Sequence, residues 1–319
     1  MLRVGLVLGG GGVLGHAFHA GVLAALEEAG WDPRRADLMV GTSAGSYCAA
    51  FLRAGVAASD LAARTTGTPL SPEGSSLYAR HGPEIEVPIP GLRHMALGRG
   101  SAHPGLLGYA LRHPRSLRMG ALVAAMLPAG TVSTSVISNS IRRFFDDAWA
   151  PAPTWIPAVR LDDGSLVAFG RGDAPEASLA LAVAASCAIP AFFEPVRIGR
   201  HTYVDGGVHS PTNLDLVAHA KLDVVVVSSP MSAVRGSVAL GPIAAVRAAN
   251  RLRLAREAAR VRSTGIDVVA FQPTVADQLL MGRNPMDPRR QREVATQARE
   301  SARQRLRRSD ITERLLAVA

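Results

Sequence analysis

Two glycine-rich turns, each set directly after a short apolar run, constrain this chain more than any other feature. The first run, residues 3–8, leads into Gly9-Gly10-Gly11-Gly12-Val13-Leu14-Gly15. The second, residues 37–40, leads into Gly41-Thr42-Ser43-Ala44-Gly45, and an alanine-rich segment over residues 47–52 follows it. Short apolar runs bounded by glycine read as buried strands. After the first turn, Val22, Leu23 and Leu26 are spaced for one helical face, which predicts a helix over residues 19–29 with Gly30 as its stop. Strand, turn and helix repeated in this way predict neighbouring parallel strands covered by helices.

The chemistry of the two turns follows from their letters. Gly41-Thr42-Ser43-Ala44-Gly45 has the G-x-S-x-G spacing of a nucleophile elbow, in which a tight turn lifts a serine above the sheet at a helix N-terminus. Gly10-x-Gly12-x-x-Gly15 fits two ideas. A dinucleotide fingerprint would need an acid at the end of the second strand, where this chain has Gly41-Thr42-Ser43; Glu27 and Glu28 come too early. An oxyanion hole needs only backbone N–H groups unobstructed by side chains. Gly11 and Gly12 are its foremost donors, with Gly10 and Val13 beside them. Both turns would then lie side by side at the carboxyl ends of adjacent strands.

Later segments extend the same pattern. Asp162-Asp163-Gly164-Ser165 between two apolar runs predicts a hairpin. Residues 179–186 predict a helix, residues 198–204 a strand delivering Asp205-Gly206-Gly207, and residues 222–228 a buried parallel strand. A helix over residues 242–262, a last strand over 268–272 and a charged helical tail over 287–317 complete the expected elements. Residues 54–153, rich in Gly, Pro and Ser, read as a cap or insertion with helical patches at 105–111, 117–126 and 138–149. There Leu106, Leu107, Tyr109, Leu117, Met119, Leu122, Val123, Met126 and Leu127 are candidates for an acyl pocket or for ordinary core.

With 48% hydrophobic and 19% charged residues, the chain has enough apolar material for a filled core. Cys48 and Cys187 lie among alanines and read as small core residues. His81, His94, His103 and His113 lack metal-ligand spacing, so no metal site and no cofactor is expected. No run reads as a signal peptide or a spanning helix, and a cytoplasmic protein is expected. The net charge of +9 resides almost wholly after residue 246, where sixteen arginines face eight acids. That basic region suits either a solvated helical face or peripheral contact with an anionic membrane. Nucleic acid is not expected, because Phe271 is its one aromatic residue.

Taken together, the chain resembles the patatin-like phospholipases, a family of lipid acyl hydrolases. Four pieces carry the resemblance in order: the loop through Gly15, the elbow from Gly41 to Gly45, the block Ala185-Ser186-Cys187-Ala188-Ile189-Pro190, and Asp205-Gly206-Gly207. The resemblance implies a three-layer α/β/α fold with a mostly parallel central sheet and a helical cap. It divides the chain into a catalytic domain over residues 1–275 and a basic helical extension over 276–319. It also implies a serine–aspartate dyad, with Ser43 as nucleophile and Asp205 as base, acting on fatty-acyl esters of the phospholipase A or lysophospholipase type. Leu14 stands where the family usually has a basic residue, which weakens the case for a phosphate headgroup in particular. Three alternatives stand beside this one: a triad completed by His209 or His219, an acyltransferase using the same serine, and a lipid-binding protein without turnover.

Overall fold

Strand β1 (Val4–Leu8) is buried along its whole length and lies at the centre of an eight-stranded sheet. It pairs in parallel with β2 (Leu38–Gly41) on one side and with β7 (Val224–Ser228) on the other. β8 (Asp267–Phe271) continues the parallel half beyond β7. On the other side, β3 (Thr154–Arg160) runs parallel to β2, and β4 (Leu166–Phe169), β6 (His201–Asp205) and β5 (Val196–Ile198) add an antiparallel half. Valine-rich β1 and β7 are buried on both faces, which is why they carry almost no polar residue. The computed structural model describes residues 2–81, 106, 126–236 and 242–307.

Helices cover both faces. One face carries α1 (Gly12–Glu28), α2 (Ala44–Arg53), α3 (Ala58–Thr66), α4 (Pro72–His81), α5 (Ser135–Phe145) and α6 (Leu179–Ser186). The other carries α7 (Pro242–Arg262), whose Leu254, Ala258 and Val261 pack with Leu214 and Val217 on Val7, Val40, Val225 and Val227. A mostly parallel sheet between two helical layers is thus the observed architecture. Two helices follow the sheet: the short α8 (Val275–Met281), opened by a capping box between Thr274 and Asp277, and the longer α9 (Gln291–Arg307).

The antiparallel half decides where the site forms. β4 and β6 both pair with Ala158 and Val159, so they flank β3 on opposite edges. β2 meets the start of β3 at Thr154 and Trp155, and β6 meets its end from Ala158 to Arg160. Because β2 runs parallel to β3 and β6 antiparallel, the carboxyl ends of both strands approach the same point, Pro157. Arg53, at the end of α2, secures the base of this arrangement through Thr154 Oγ1 and the carbonyls of Ala36 and Pro153.

Several elements differ from the sequence expectation. The first helix begins at Gly12 rather than near residue 19, so the glycine loop is itself the first helical turn. Gly199-Arg200 breaks the strand expected over 198–204 into the hairpin β5–β6. Within the middle section, α3 packs on α1, and Val56, Ala58, Leu61 and Ala62 join the main core. The helical patches expected at 105–111 and 117–126 lie outside the described residues, as do the side chains of His81, His94, His103 and His113. Leu107, Tyr109, Leu117, Met119, Leu122 and Val123 lie outside them too. Leu106 is described, and it is buried against Val159, Leu161 and Val204.

The C-terminal helix is packed on the body of the protein. α9 buries Val294, Ala295, Ala298, Ala302 and Leu306 against α1. Gly21 allows the close crossing, since a Cβ there would strike the Ala295 carbonyl. Glu28 then holds both Arg299 and Arg303. Other arginines of the basic region are likewise engaged: Arg247 and Arg253 donate to the carbonyls of Pro230 and His209, Arg262 to that of Val268, and Arg289 pairs with Asp287. Much of the charge surplus therefore works inside the fold. Among the described residues no helix is long and apolar enough to cross a membrane.

Candidate active site

Ser43 stands between β2 and α2 with φ 51° and ψ −121°, a strained conformation for a residue other than glycine. The strain is imposed by how closely α2 passes the end of β1. A Cβ on Gly45 would run into the Leu8 carbonyl, and one on Gly41 would come within 2.6 Å of the Gly45 oxygen. Only glycine at both positions lets strand, turn and helix fold back so tightly, and the serine between them is left at the head of the helix.

Asp205 arrives from the opposite direction as the last residue of β6, and is as buried as Ser43, each about 6% exposed. The Ser43 side chain lies beside its carboxylate. Gly207 N–H donates to Oδ1 at 2.6 Å. Burial pushes the Asp205 carboxyl up to about 6, and the hydrogen bonds from Ser43 and Gly207 hold it back from rising further. Of the histidines considered for a triad, His209 Nδ1 donates to Asn213 Oδ1 at 2.9 Å, and His219 is exposed.

The glycine loop lies beside the serine. A Cβ on Gly10 would come within 3.3 Å of Ser43 Cβ. Gly10's own N–H, however, donates to Pro211 O at 2.7 Å, so this donor is already spent. Gly9 N–H donates to Ser228 O, and Leu14 N–H to Pro285 O. Gly11, Gly12 and Val13 begin α1, where backbone N–H groups have no partner within the helix, and no backbone acceptor for them occurs among the described residues. Of the four expected donors, these three keep an N–H for a ligand.

Side chains that sequence analysis did not single out hold these pieces. His19, fully buried in α1, bonds Gly9 O at 2.7 Å and Ser228 Oγ at 2.8 Å. Since a carbonyl only accepts, Nε2 carries the proton and Nδ1 accepts from Ser228. Burial lowers this imidazole to about 3, so it stays neutral and fixes the start of the loop. Ser43 N–H donates to Ser186 Oγ at 3.0 Å, and Ser186 donates onward to Pro157 O at 2.7 Å. Ser186 belongs to the proline-containing block noted in the sequence, so the block was legible although its task was not. Cys187 lies beside Ser43 and Ser46; burial and the nearby Asp205 charge push its thiol up to about 12. Cys48 is raised by burial as well, and both cysteines are inert core thiols.

The family model for patatin-like phospholipases matches residues 6–218, from β1 past Asp205. The chain belongs to the patatin-like phospholipase family. Membership makes it a lipid acyl hydrolase at family level. Several solved structures resemble it. VipD from Legionella pneumophila is 15% identical with a TM-score of 0.46, over 96% of this chain and 67% of that one. The type III effector protein ExoU is 19% identical with a TM-score of 0.38, over 96% and 53%. ExoU in its complex with SpcU, from the type III secretion system of Pseudomonas aeruginosa, is 19% identical with a TM-score of 0.36, over 96% and 52%. The chain thus spans about half the length of ExoU. No curated protein matches the sequence.

Proposed function

We propose that the protein hydrolyses carboxylic esters of fatty-acyl lipids, as a phospholipase A or lysophospholipase, through Ser43 and Asp205. The observation that carries this reading is the buried Asp205 carboxylate set beside a buried serine in a strained elbow. As Ser43 Oγ attacks the acyl carbonyl, its proton passes to Asp205. A carboxylate raised to about 6 is a better base than one in water and is still ionised at neutral pH. The N–H groups of Gly11, Gly12 and Val13 receive the oxyanion at the positive end of α1. Asp205 returns the proton to the leaving alcohol, which departs and leaves an acyl ester on Ser43. Water, deprotonated by Asp205, then attacks that ester; the fatty acid leaves and Ser43 regains its proton.

A lipid substrate brings the enzyme to a bilayer surface, and contact through the Arg-rich C-terminal region belongs to the same reading. Arg256, Arg260, Arg292 and Arg307 are among its exposed members. The test is hydrolysis of a short-chain chromogenic ester and of a phospholipid by wild type and by Ser43→Ala. Turnover by wild type alone supports the assignment, and the ratio of the two substrates identifies the class. Lipid binding by both proteins without turnover by either would replace it with a binding role.

A further inference from the structure

Ser43 and Asp205 come from strands that no described ladder joins; β2 and β6 each pair with β3 and stop short of one another. Backbone pairing alone therefore does not set the dyad's spacing. Two side chains cross the gap. Ser186 is one, through Ser43 N–H and Pro157 O. The other is Asn213, fully buried and eight residues beyond Asp205. Its Nδ2 donates to Thr42 Oγ1 at 3.1 Å, to Gly206 O at 3.2 Å and to Ser210 O at 2.7 Å. Thr42 precedes the nucleophile and Gly206 follows the base, so one amide grips both arms of the dyad.

The backbone of Asn213 is shaped for this task. It sits at φ 52°, a left-handed conformation that asparagine tolerates better than most side chains. The loop bearing it is clamped by α7, which lies outside the matched residues 6–218. Glu257 accepts from Ser210 Oγ at 2.6 Å and from Leu214 N–H at 3.2 Å, and Arg253 donates to His209 O at 2.8 Å. The chain thus runs from a helix of the C-terminal part, through a rigid loop, to the residue before the nucleophile.

We infer that Asn213 is the positioning residue that sets the spacing of Ser43 and Asp205, with α7 holding it in place through Glu257 and Arg253. The inference rests on the dyad reading above. Asn213 touches no reacting atom; it acts by keeping two strand ends in register, and misplacement of reacting groups by about 1 Å costs on the order of 100-fold in rate.

The experiment compares wild type, Asn213→Ala, Thr42→Val and the double variant on an ester that wild type cleaves, from pH 4.5 to 9. Each single variant is expected to lower kcat by about 10- to 100-fold with KM within about twofold. The double variant should be no slower than the worse single one, because both changes cut the same link. The acid limb should also move to higher pH, since a slackened Ser43 hydroxyl no longer steadies the Asp205 carboxylate. The titratable neighbour of that carboxylate is the Cys187 thiol, held protonated, and His209 follows on the next turn, bonded to Asn213. Additive losses, or a folded Asn213→Ala with wild-type kcat and an unmoved acid limb, would overturn the inference. If Asn213→Ala does not fold, Thr42→Val decides alone by the same two readouts. If wild type cleaves no ester, the rate of Ser43 labelling by a fluorophosphonate takes kcat's place. Slower labelling in the variants then upholds the positioning role although hydrolysis has failed, and equal labelling overturns it. A wild type that is not labelled at Ser43 overturns both.

Discussion

Two buried serine–carboxylate pairs occur among the described residues, and the proposed mechanism uses only one of them. Ser43 lies beside Asp205, and Ser210 donates to Glu257 at 2.6 Å. Burial raises both carboxyls above their ordinary values. The difference lies around the serine oxygens. Ser210 Oγ also accepts from the N–H groups of Thr212 and Asn213, so its lone pairs are engaged and it ties a loop together. Ser43 sits in a strained elbow, its backbone N–H anchored on Ser186, with Gly10 of the glycine loop against it. A buried hydroxyl–carboxylate bond is thus insufficient for a nucleophile. The oxygen must be left exposed to an acyl carbon, and donors must wait where negative charge will develop.

The comparison breaks most sharply at the serines. Ser43→Ala should lose turnover by on the order of 10³-fold or more, measured on a chromogenic ester with folding checked by circular dichroism. Ser210→Ala should retain far more activity and instead lose about 1–3 kcal/mol of stability in urea unfolding, because buried Glu257 loses the shorter of its hydrogen bonds. Asp205→Asn should lower kcat by about 10²- to 10⁴-fold. The same change should raise stability. A carboxyl lifted from 3.8 to about 6 on folding favours the native state only when protonated, so the ionised wild type is penalised above that range. At neutral pH the asparagine variant should be more stable by about 1–3 kcal/mol, and the gain should vanish as pH falls below about 4. Thermal unfolding against pH reads this directly. The pH profile of kcat/KM in wild type should fall on the acid side near pH 6, as Asp205 takes up its proton. Smallest of all, His219→Ala should leave turnover unchanged, because that ring is exposed whereas Asp205 is buried. A large loss there would restore the triad.

Much of this was legible in the chain. The elbow shows in the spacing of Gly41, Ser43 and Gly45, because the tight passage of α2 over Leu8 admits only glycine at its two ends. The extents of α6 and α7 follow from their apolar spacing and flanking prolines. What was hidden depends on contacts between distant segments. Nothing local marks His19 as the anchor of the loop that begins ten residues before it, since its partner Ser228 is 209 residues away. Asn213 reads as one more turn residue until Thr42 is brought against it from 171 residues away. Gly10 reads as a further donor beside Gly11 and Gly12, and only the approach of Pro211 shows that its N–H is spent. Arginines 299 and 303 read as free tail charge until Glu28 of α1 comes to meet them.

The central claim is that the elbow, and not a buried serine–carboxylate bond as such, makes the nucleophile. Labelling with a fluorophosphonate followed by peptide mass mapping tests it most directly, because the reagent records which serine attacks. The account predicts one adduct, on Ser43, formed in wild type and absent in Ser43→Ala. An adduct on Ser210, or labelling that survives in Ser43→Ala, would contradict it.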